Sequence, residues 1–182
     1  MAVNNLCNNK MSKEKIYLLS CGKWLDRRGF IRYFERKVLY TLRKYRMLES
    51  AIVVDNKNPK SSVLKYFLNK VSLRNKSKNK MTALSDSTDD IAVKVFEVFM
   101  KGKYQELKSL TPKFKKGNQT FVRPFYFMLD KEIELYAKLK NIKMKKIKID
   151  NDVRRWLDDY EQKHLELKNS IVSSLLKIEN KI

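Results

Sequence analysis

The side chains that most often carry enzyme chemistry are scarce in this 182-residue chain. It has two cysteines, Cys7 and Cys21, and one histidine, His164. Two cysteines at this spacing cannot form a CxxC zinc clip, and one copy of the chain cannot supply a four-cysteine zinc site or a three-cysteine iron–sulfur site. A Ser–His–Asp or Cys–His catalytic pair would have to use His164, which lies in a charged stretch typical of a solvated helix. We therefore expect no metal or other cofactor.

The charge balance points to a polyanionic partner. Lys and Arg number 41 against 20 Asp and Glu, a formal net charge of +21. A compact domain with this charge repels itself unless a polyanion neutralises it. Nucleic acid is the polyanion we favour, because each phosphate contact releases condensed counterions; an anionic membrane surface and lysine-rich coding bias are the alternatives. The short apolar runs predict no membrane span, and the amino terminus lacks a secretory signal, so we expect a cytoplasmic protein.

Residues 30–48 (FIRYFERKVLYTLRKYRML) concentrate this charge on one side of a predicted helix. The apolar face repeats at i, i+4 and i+11 and comprises Phe34, Val38 and Tyr45. Arginines with the same spacing lie on the opposite face: Arg32, Arg36 and Arg43. Glu35 is the only acidic residue between Arg27 and Arg46. Such a helix is more typical of one that follows a phosphate backbone than of a neutral solvated face.

A strand–turn–helix unit follows this helix. The β-branched run at 52–54 predicts a buried strand, and 56–59 predicts a turn. Ser61 or Ser62 is the expected cap of the next helix. The apolar residues of that helix are Leu64, Phe67, Leu68 and Val71. A unit of this kind is the usual opening of an α/β fold.

A second unit begins after a polar, basic and flexible connection at 72–80. It comprises a strand at 81–84 and a helix that starts with a capping pattern between Ser87 and Asp90. The later patterns predict a lysine-rich loop with Pro112 and Gly117, a strand end at 121–124, a helix capped by Asp130, a strand at 143–150, and terminal helices within 152–180. Together the elements predict an α/β fold with a small, mostly parallel sheet flanked by helices and a helical carboxyl terminus.

Several stretches, in order, resemble the tRNA 2-thiouridine synthetase family of PP-loop ATPases. FIRYFERKV at the start of 30–48 is similar to the family's entry helix, and VVDNKNPKSSVLKYFLNK at 53–70 falls where the family has its PP-loop. ALSDSTDDIA at 83–92 is similar to its Asp-Asp motif, and FVRPFYFMLDKEIELYAKLKNI at 121–142 to its Arg-Pro-Leu segment and following helix. The closing stretch from Arg154 is similar to its basic terminal helices. The resemblance implies a reduced PP-loop fold over most of 30–182.

The sequence departs from the family at the nucleotide site. The family motif Ser-Gly-Gly-Lys-Asp-Ser cradles ATP phosphates with backbone N–H groups, and its glycines permit the close approach. Only the final serine matches here, and Pro59 offers no N–H while restricting the residue before it. Lys57 and Lys60 would attract phosphate as point charges only. The degenerate PP-loop comprises Asn56, Lys57, Asn58, Pro59, Lys60 and Ser61.

Other departures agree with a lost active site. Asp89 and Asp90 match the second motif and are expected to stabilise the start of their helix, whereas Asp86 stands where the family has histidine. The central strands and catalytic cysteines of the family have no counterpart in the short bridge at 71–82. Three regions are expected: an amino-terminal tail and remnant of the zinc-binding region at 1–29, a degenerate PP-loop domain at 30–150, and basic carboxyl-terminal helices at 151–182.

These residues predict a non-catalytic RNA-binding protein, a pseudoenzyme derived from a tRNA thiolase. The RNA is tRNA or ribosomal RNA, the latter with the ribosome as partner. The expected phosphate contacts are Arg32, Arg36, Lys37, Arg43, Lys44, Arg46, Lys113, Lys115, Lys116, Lys143, Lys145, Lys146, Arg154 and Arg155. Candidates for base stacking, with core packing as the alternative, are Tyr33, Tyr45 and Trp156.

Two other functions stay open. The first is a non-catalytic partner subunit of an active thiolase paralogue, which an exposed apolar patch would favour. The second is an active tRNA sulfurtransferase, which the PP-loop sequence argues against. A role at a membrane surface ranks last, because no strongly apolar amphipathic helix is present.

Overall fold

The computed structural model describes residues 14–71, 80–147, 151–164 and 166–179. It opens with a short antiparallel pair, β1 (Tyr17–Leu18) and β2 (Trp24–Leu25), followed by helix α1 (Arg27–Lys44). The Asp26 side chain caps α1 by accepting a hydrogen bond from the Gly29 N–H at 2.8 Å. A 3₁₀ turn at Met47–Glu49 leads into the main sheet. The predicted amphipathic helix is confirmed, since Phe34 and Val38 are fully buried.

The main sheet has four strands in the order β3, β4, β6, β5. Their bounds are β3 Ala51–Val54, β4 Lys80–Ala83, β5 Lys113–Lys116 and β6 Gln119–Val122. β3 is parallel to β4 and β4 to β6, whereas β5 pairs antiparallel with β6. The predicted α/β class with a mostly parallel sheet is therefore confirmed.

Two sequence predictions near the sheet are wrong. The lysine-rich segment expected as a loop forms strand β5, because Gly117 at φ 57° allows a tight hairpin and Phe114 stacks on Phe121 at 5.1 Å. The strand expected at 143–150 is absent over 143–147, where the chain is irregular, and residues 148–150 lie outside the described part. The expected flexible connection likewise lies outside it at 72–79.

The helices flank the sheet and bound the site. Helix α2 spans Ser61–Val71, α3 Thr88–Lys101, α4 Asp130–Leu139, α5 Asp152–Lys163 and α6 Leu167–Glu179, and a 3₁₀ helix spans Tyr104–Leu110. The capping box predicted between Ser87 and Asp90 is confirmed. The caps predicted at Ser61 or Ser62 and at Asp130 are wrong: Ser61 and Asp130 are the first residues of their helices, and Leu129 holds the cap position of α4.

Two clusters of apolar side chains make up the core. In the first, Phe34 of α1 stacks on Tyr136 of α4 with ring centroids 4.0 Å apart and meets Phe125 edge-on at 5.9 Å. In the second, α3 packs against α5 and α6 through residues such as Val95, Leu157 and Val172. The carboxyl-terminal helices thus cover the end of α3, beside the loops that leave the sheet. Within the described ranges, no helix has the length and apolar character needed to span a membrane.

Candidate functional site

The loops that follow β3, β4 and β6 meet at one end of the sheet, where the carboxyl ends of these strands lie. In open α/β sheets, ligands bind outside the carboxyl ends of the parallel strands, so a nucleotide would be expected at this end of the sheet. The β3 loop ends at Lys60, the β4 loop leads to Asp90 in the first turn of α3, and the β6 loop leads to Asp130 at the start of α4. These three side chains converge on each other.

Lys60 is the centre of this convergence. Its side chain is 1% exposed, and its ammonium donates to the Ser87 hydroxyl at 2.9 Å, to Asp130 Oδ1 at 2.8 Å and to Asp90 Oδ2. All three N–H groups of the ammonium therefore have acceptors. A buried lysine is tolerated only when paired in this way, because burial removes its hydration.

The carboxyl-terminal helices supply two more cations. The Arg154 guanidinium donates to Asp90 Oδ1 at 3.1 Å and to Asp130, and Lys168 donates to Asp89 Oδ1 at 2.6 Å and to Asp158. Asp89 also accepts the Asp130 backbone N–H at 2.7 Å. We call this set the ionic cluster; its members are Lys60, Arg154, Lys168, Asp89, Asp90, Asp130 and Asp158.

The ionic cluster shifts the titration of its members. Burial alone lowers the pKa of Lys60, but attraction to Asp90 and Asp130 outweighs it and raises that pKa above the ordinary value of 10.5. Burial alone raises the pKa of Asp90, but Lys60, the Ser87 N–H and Arg154 bring it below the ordinary value of 3.8. The pKa of Lys168 is also raised, since Asp89 and Asp158 outweigh the effect of burial. The charged forms are thus the stable ones.

The backbone of residues 56–61, predicted to be a degenerate PP-loop, is occupied by local hydrogen bonds. The Lys57 N–H donates to Asp55 Oδ1 at 3.1 Å, the Lys60 N–H to Asn58 Oδ1 at 3.0 Å, and the Ser61 N–H to the Asn58 carbonyl at 3.0 Å. Pro59 has no N–H to offer. Four of these six positions therefore have no N–H free for a phosphate cradle. The Lys60 side chain, expected as a point charge for phosphate, is instead committed to the ionic cluster.

A small cavity of about 360 Å³ adjoins this loop. Asp55 and Asp86 line it, and Lys57 is exposed at its side. Asp86 is bound by Arg123 at 2.8 Å and Lys94 at 3.2 Å, so the residue standing at the family's histidine position holds two cations of its own chain. With Asp86 neutralised, the charged groups left in the lining are Asp55 and Lys57, so the cavity offers an incoming phosphate no surplus of positive charge.

Most of the basic residues predicted to contact RNA lie on the surface. The exposed ones are Arg32, Arg36, Arg43, Lys44, Arg46, Lys115, Lys116, Lys143, Lys145, Lys146 and Arg155. Lys37 and Lys113 are half-buried, with Lys37 paired to Glu132 at 3.1 Å and Lys113 bonded to the Arg46 carbonyl at 3.1 Å. Arg154 is 9% exposed and belongs to the ionic cluster, so its charge is directed inward.

The aromatic candidates have structural partners. Tyr33 donates its hydroxyl to Glu132 at 2.7 Å, and Tyr45 stacks on Phe127 at 6.3 Å. Trp156 is half exposed and packs between Phe96 and Tyr160, with ring centroids 5.0 Å away in both cases. His164 is exposed at the end of α5, as its charged surroundings predicted.

Sequence reasoning missed Lys168 and Glu132. Glu132 is buried and accepts hydrogen bonds from Tyr17, Tyr33, Lys37 and the Leu129 N–H. Glu132 supplies one half of a capping box, since its carboxylate accepts the Leu129 N–H, but Leu129 has no side-chain acceptor, so the sequence lacks the Ser or Thr that would have indicated it. Lys168 gave no local signal, because its partner Asp89 lies 79 residues away.

Of the comparisons with known proteins, the one with solved structures gave a match. No family model and no curated protein matches the chain. Among solved structures, the chain is similar to the U34-tRNA thiolase NcsA from Methanococcus maripaludis, determined with its 4Fe–4S cluster. The TM-score is 0.76 at 16% identity, over 96% of this chain and 87% of that one. The chain therefore has the fold of a tRNA thiolase, and at this identity the match establishes the fold alone.

The residues of this chain do not fit an iron–sulfur cluster. Such clusters are held mainly by cysteine thiolates, and this chain has only Cys7 and Cys21. Cys21 is exposed in the β1–β2 hairpin, and Cys7 lies outside the described residues. The described ranges contain no group of three or more His, Cys, Asp or Glu arranged to hold a metal ion. We derive no chemistry through a cluster.

Replacing Lys60 tests how far the fold depends on the ionic cluster. Lys60→Met leaves the Asp90 and Asp130 carboxylates buried with one cation fewer, so we expect a loss of about 3–5 kcal/mol in the free energy of unfolding. The measurement is urea unfolding followed by circular dichroism. Lys57→Met, an exposed lysine in the same loop, is the matched control and should change stability by less than about 0.5 kcal/mol. Equal stability of the two variants would contradict this account.

The pH dependence of stability follows from the two shifted pKa values. The pKa of Asp90 is depressed, so its contribution is fully present above 3.8 and is lost as pH falls through the lower folded value. The pKa of Lys60 is raised, so its contribution is fully present below 10.5 and is lost as pH rises through the folded value. We expect both losses in urea midpoints measured across pH, and smaller ones in Lys60→Met. Identical pH profiles for the two proteins would disprove the assignment.

Proposed function

We propose that this chain is a non-catalytic RNA-binding protein that uses a tRNA thiolase fold without the nucleotide or sulfur-transfer site of such an enzyme. The observation that carries the proposal is the division of positive charge between two places. Inside, the cations of the ionic cluster form ion pairs with carboxylates of the same chain. Outside, the basic face of α1 has no carboxylate partner within the described ranges.

The basic face of α1 is the proposed RNA surface. Its members are Arg32, Arg36, Arg43 and Lys44, together with Arg46 just beyond the end of the helix, all exposed. In the part of the chain that the structure describes, none of the five pairs with a carboxylate. Glu35, the one acid of this helix, is already bound to Lys70 at 2.6 Å and to Tyr136 at 2.9 Å. An exposed helix face with several unpaired cations is a phosphate-binding surface.

Transfer RNA is the RNA we favour, because the solved structure that the chain resembles is a tRNA thiolase. Binding through phosphates fixes the position of the RNA and carries little sequence information. The absence of cysteine ligands, the local hydrogen bonds of the PP-loop backbone and the committed Lys60 support a non-catalytic role. Sulfur transfer by this chain alone would need groups that it lacks.

A second candidate function is a partner subunit of an active thiolase. In the described ranges β3 pairs with β4 alone, so β3 forms an edge of the main sheet, and Val53 on that strand is 53% exposed. An apolar edge strand of this kind is a place where another chain can pair. Copurification with an active thiolase and no retained RNA would favour this function over the first.

The salt dependence of tRNA binding tests the proposed RNA surface. Each phosphate contact contributes about −0.7 to −0.9 to the slope of log K against log salt. The triple variant Arg32→Gln, Arg36→Gln, Arg43→Gln should therefore bind tRNA more weakly and with a slope reduced by about two to three units. Fluorescence anisotropy with labelled tRNA between about 50 and 200 mM KCl measures both quantities.

The matched control removes the same charge elsewhere. Lys65, Lys101 and Lys177 are exposed on α2, α3 and α6, and their triple glutamine variant should leave the slope nearly unchanged. Equal losses in both triple variants would mean that net charge alone drives binding and would contradict the α1 surface. Binding of an equal-length ribosomal RNA fragment at least tenfold more tightly than tRNA would transfer the proposal to ribosomal RNA.

A further inference from the structure

A cleft of about 720 Å³ lies beside the proposed RNA surface. It is enclosed by the β1–β2 hairpin, α1, the start of α4, and the α5–α6 pair. Its size falls within the range of small-ligand sites, roughly 300–1,000 Å³. Four of its lining side chains are aromatic: Tyr17, Tyr33, Tyr40 and Phe127. Helix α1 thus lines the cleft with both rings and lysines, Lys37 and Lys44.

A buried carboxylate holds two of these rings in place. Glu132 accepts the Tyr17 hydroxyl at 3.1 Å, the Tyr33 hydroxyl at 2.7 Å and the Lys37 ammonium at 3.1 Å. The polar ends of these three side chains are therefore committed to Glu132, and what Tyr17 and Tyr33 offer the cleft is apolar ring surface. Glu132 itself is neutralised by Lys37 and does not repel an anion at the mouth.

Tyr40 is the ring that a ligand would meet first. Its side chain is 58% exposed, although the next residue of α1, Thr41, is buried. The Lys44 ammonium lies 5.6 Å from the ring centroids of both Tyr40 and Tyr45. Rings that accept a stacked base, with a cation beside them for its phosphate, are the features by which proteins hold unpaired nucleotides.

The opposite wall carries hydrogen-bond acceptors. Glu161 and Glu166 line it from α5 and the turn before α6, together with the Asn169 amide. Carboxylates repel phosphate but accept hydrogen bonds from the N–H groups on a base edge. Lys44 of α1 and the exposed Lys131 of α4 are thus the cations left for a phosphate, and Glu161 and Glu166 lie on the far side, a polarity that fits a nucleotide entering base-first.

We propose that this cleft takes one unpaired nucleotide of the RNA bound along α1. The base stacks on Tyr40 and its N–H edge faces Glu166 and Asn169, while its phosphate is held by Lys44. The assignment rests on the proposed RNA-binding function and adds a preference to it: RNA with an unpaired nucleotide binds better than fully paired RNA of the same length.

Two RNA duplexes test this preference, one fully paired and one with a single unpaired uridine at its centre. The wild-type chain should bind the bulged duplex roughly 5- to 100-fold more tightly, the range that stacking of one base supplies. Tyr40→Ala should abolish the preference while leaving affinity for the paired duplex within about twofold, and Tyr40→Phe should retain it. The exposed position of Tyr40 keeps the alanine variant folded, which circular dichroism checks.

The outcomes separate this inference from the function on which it rests. Equal binding of both duplexes by the wild type, or a preference that survives Tyr40→Ala, overturns the cleft assignment and leaves RNA binding in place. Failure to bind either duplex overturns the proposed function itself. Uridine and guanosine monophosphates are added as competitors; their displacement of bulged RNA at micromolar concentrations would assign the cleft to a free nucleotide and overturn the RNA-bound one.

Discussion

The ion pairs of the buried Lys60 ammonium are the interactions on which the arrangement of the loops and terminal helices depends. Three loops leave the carboxyl ends of the parallel strands, all at the same end of the sheet. They bring the Asp90 and Asp130 carboxylates to the Lys60 ammonium. Carboxylates gathered in a dry site repel each other unless a cation lies between them. Here the cation belongs to the chain, so Asp90 and Asp130 are paired without a ligand, whereas the buried Arg154 Nε has no hydrogen-bond partner among the described residues.

The same requirement ties the carboxyl-terminal helices to the sheet. Arg154 comes from α5 and Lys168 from α6, and each pairs with a carboxylate at the start of α3 or α4. Apolar packing between α3 and these helices stabilises the contact, while the ion pairs specify where the helices lie. In physical terms, the cations at this end of the sheet are paired within the chain. The basic side chains on the outer face of α1 are exposed.

Much of this architecture could be predicted from local patterns, and the site could not. The amphipathic spacing of Phe34 and Val38 and the Ser87–Asp90 cap are short-range signals, and the structure confirms both. The β-branched run at 52–54 forms the expected strand, but the prediction that it is buried is wrong, because β3 lies at the edge of the sheet and Val53 is 53% exposed. The residues around Asp130 do not distinguish a helix cap from an ion-pair partner, because its partner Lys60 lies 70 residues away in the chain. Burial of Lys60 and Arg154 is likewise set by partners distant in the chain, and basic residues in a chain of net charge +21 are expected outside by default.

The most direct test of this account is whether the wild-type chain binds Mg-ATP. Isothermal titration calorimetry at about 150 mM salt screens weak attraction to the basic surface while leaving a buried site detectable. Because Lys60 and the PP-loop backbone are already bonded within the chain, the account predicts no saturable binding up to millimolar nucleotide. Stoichiometric binding of Mg-ATP would contradict it, since the ionic cluster would then have to open to admit a triphosphate.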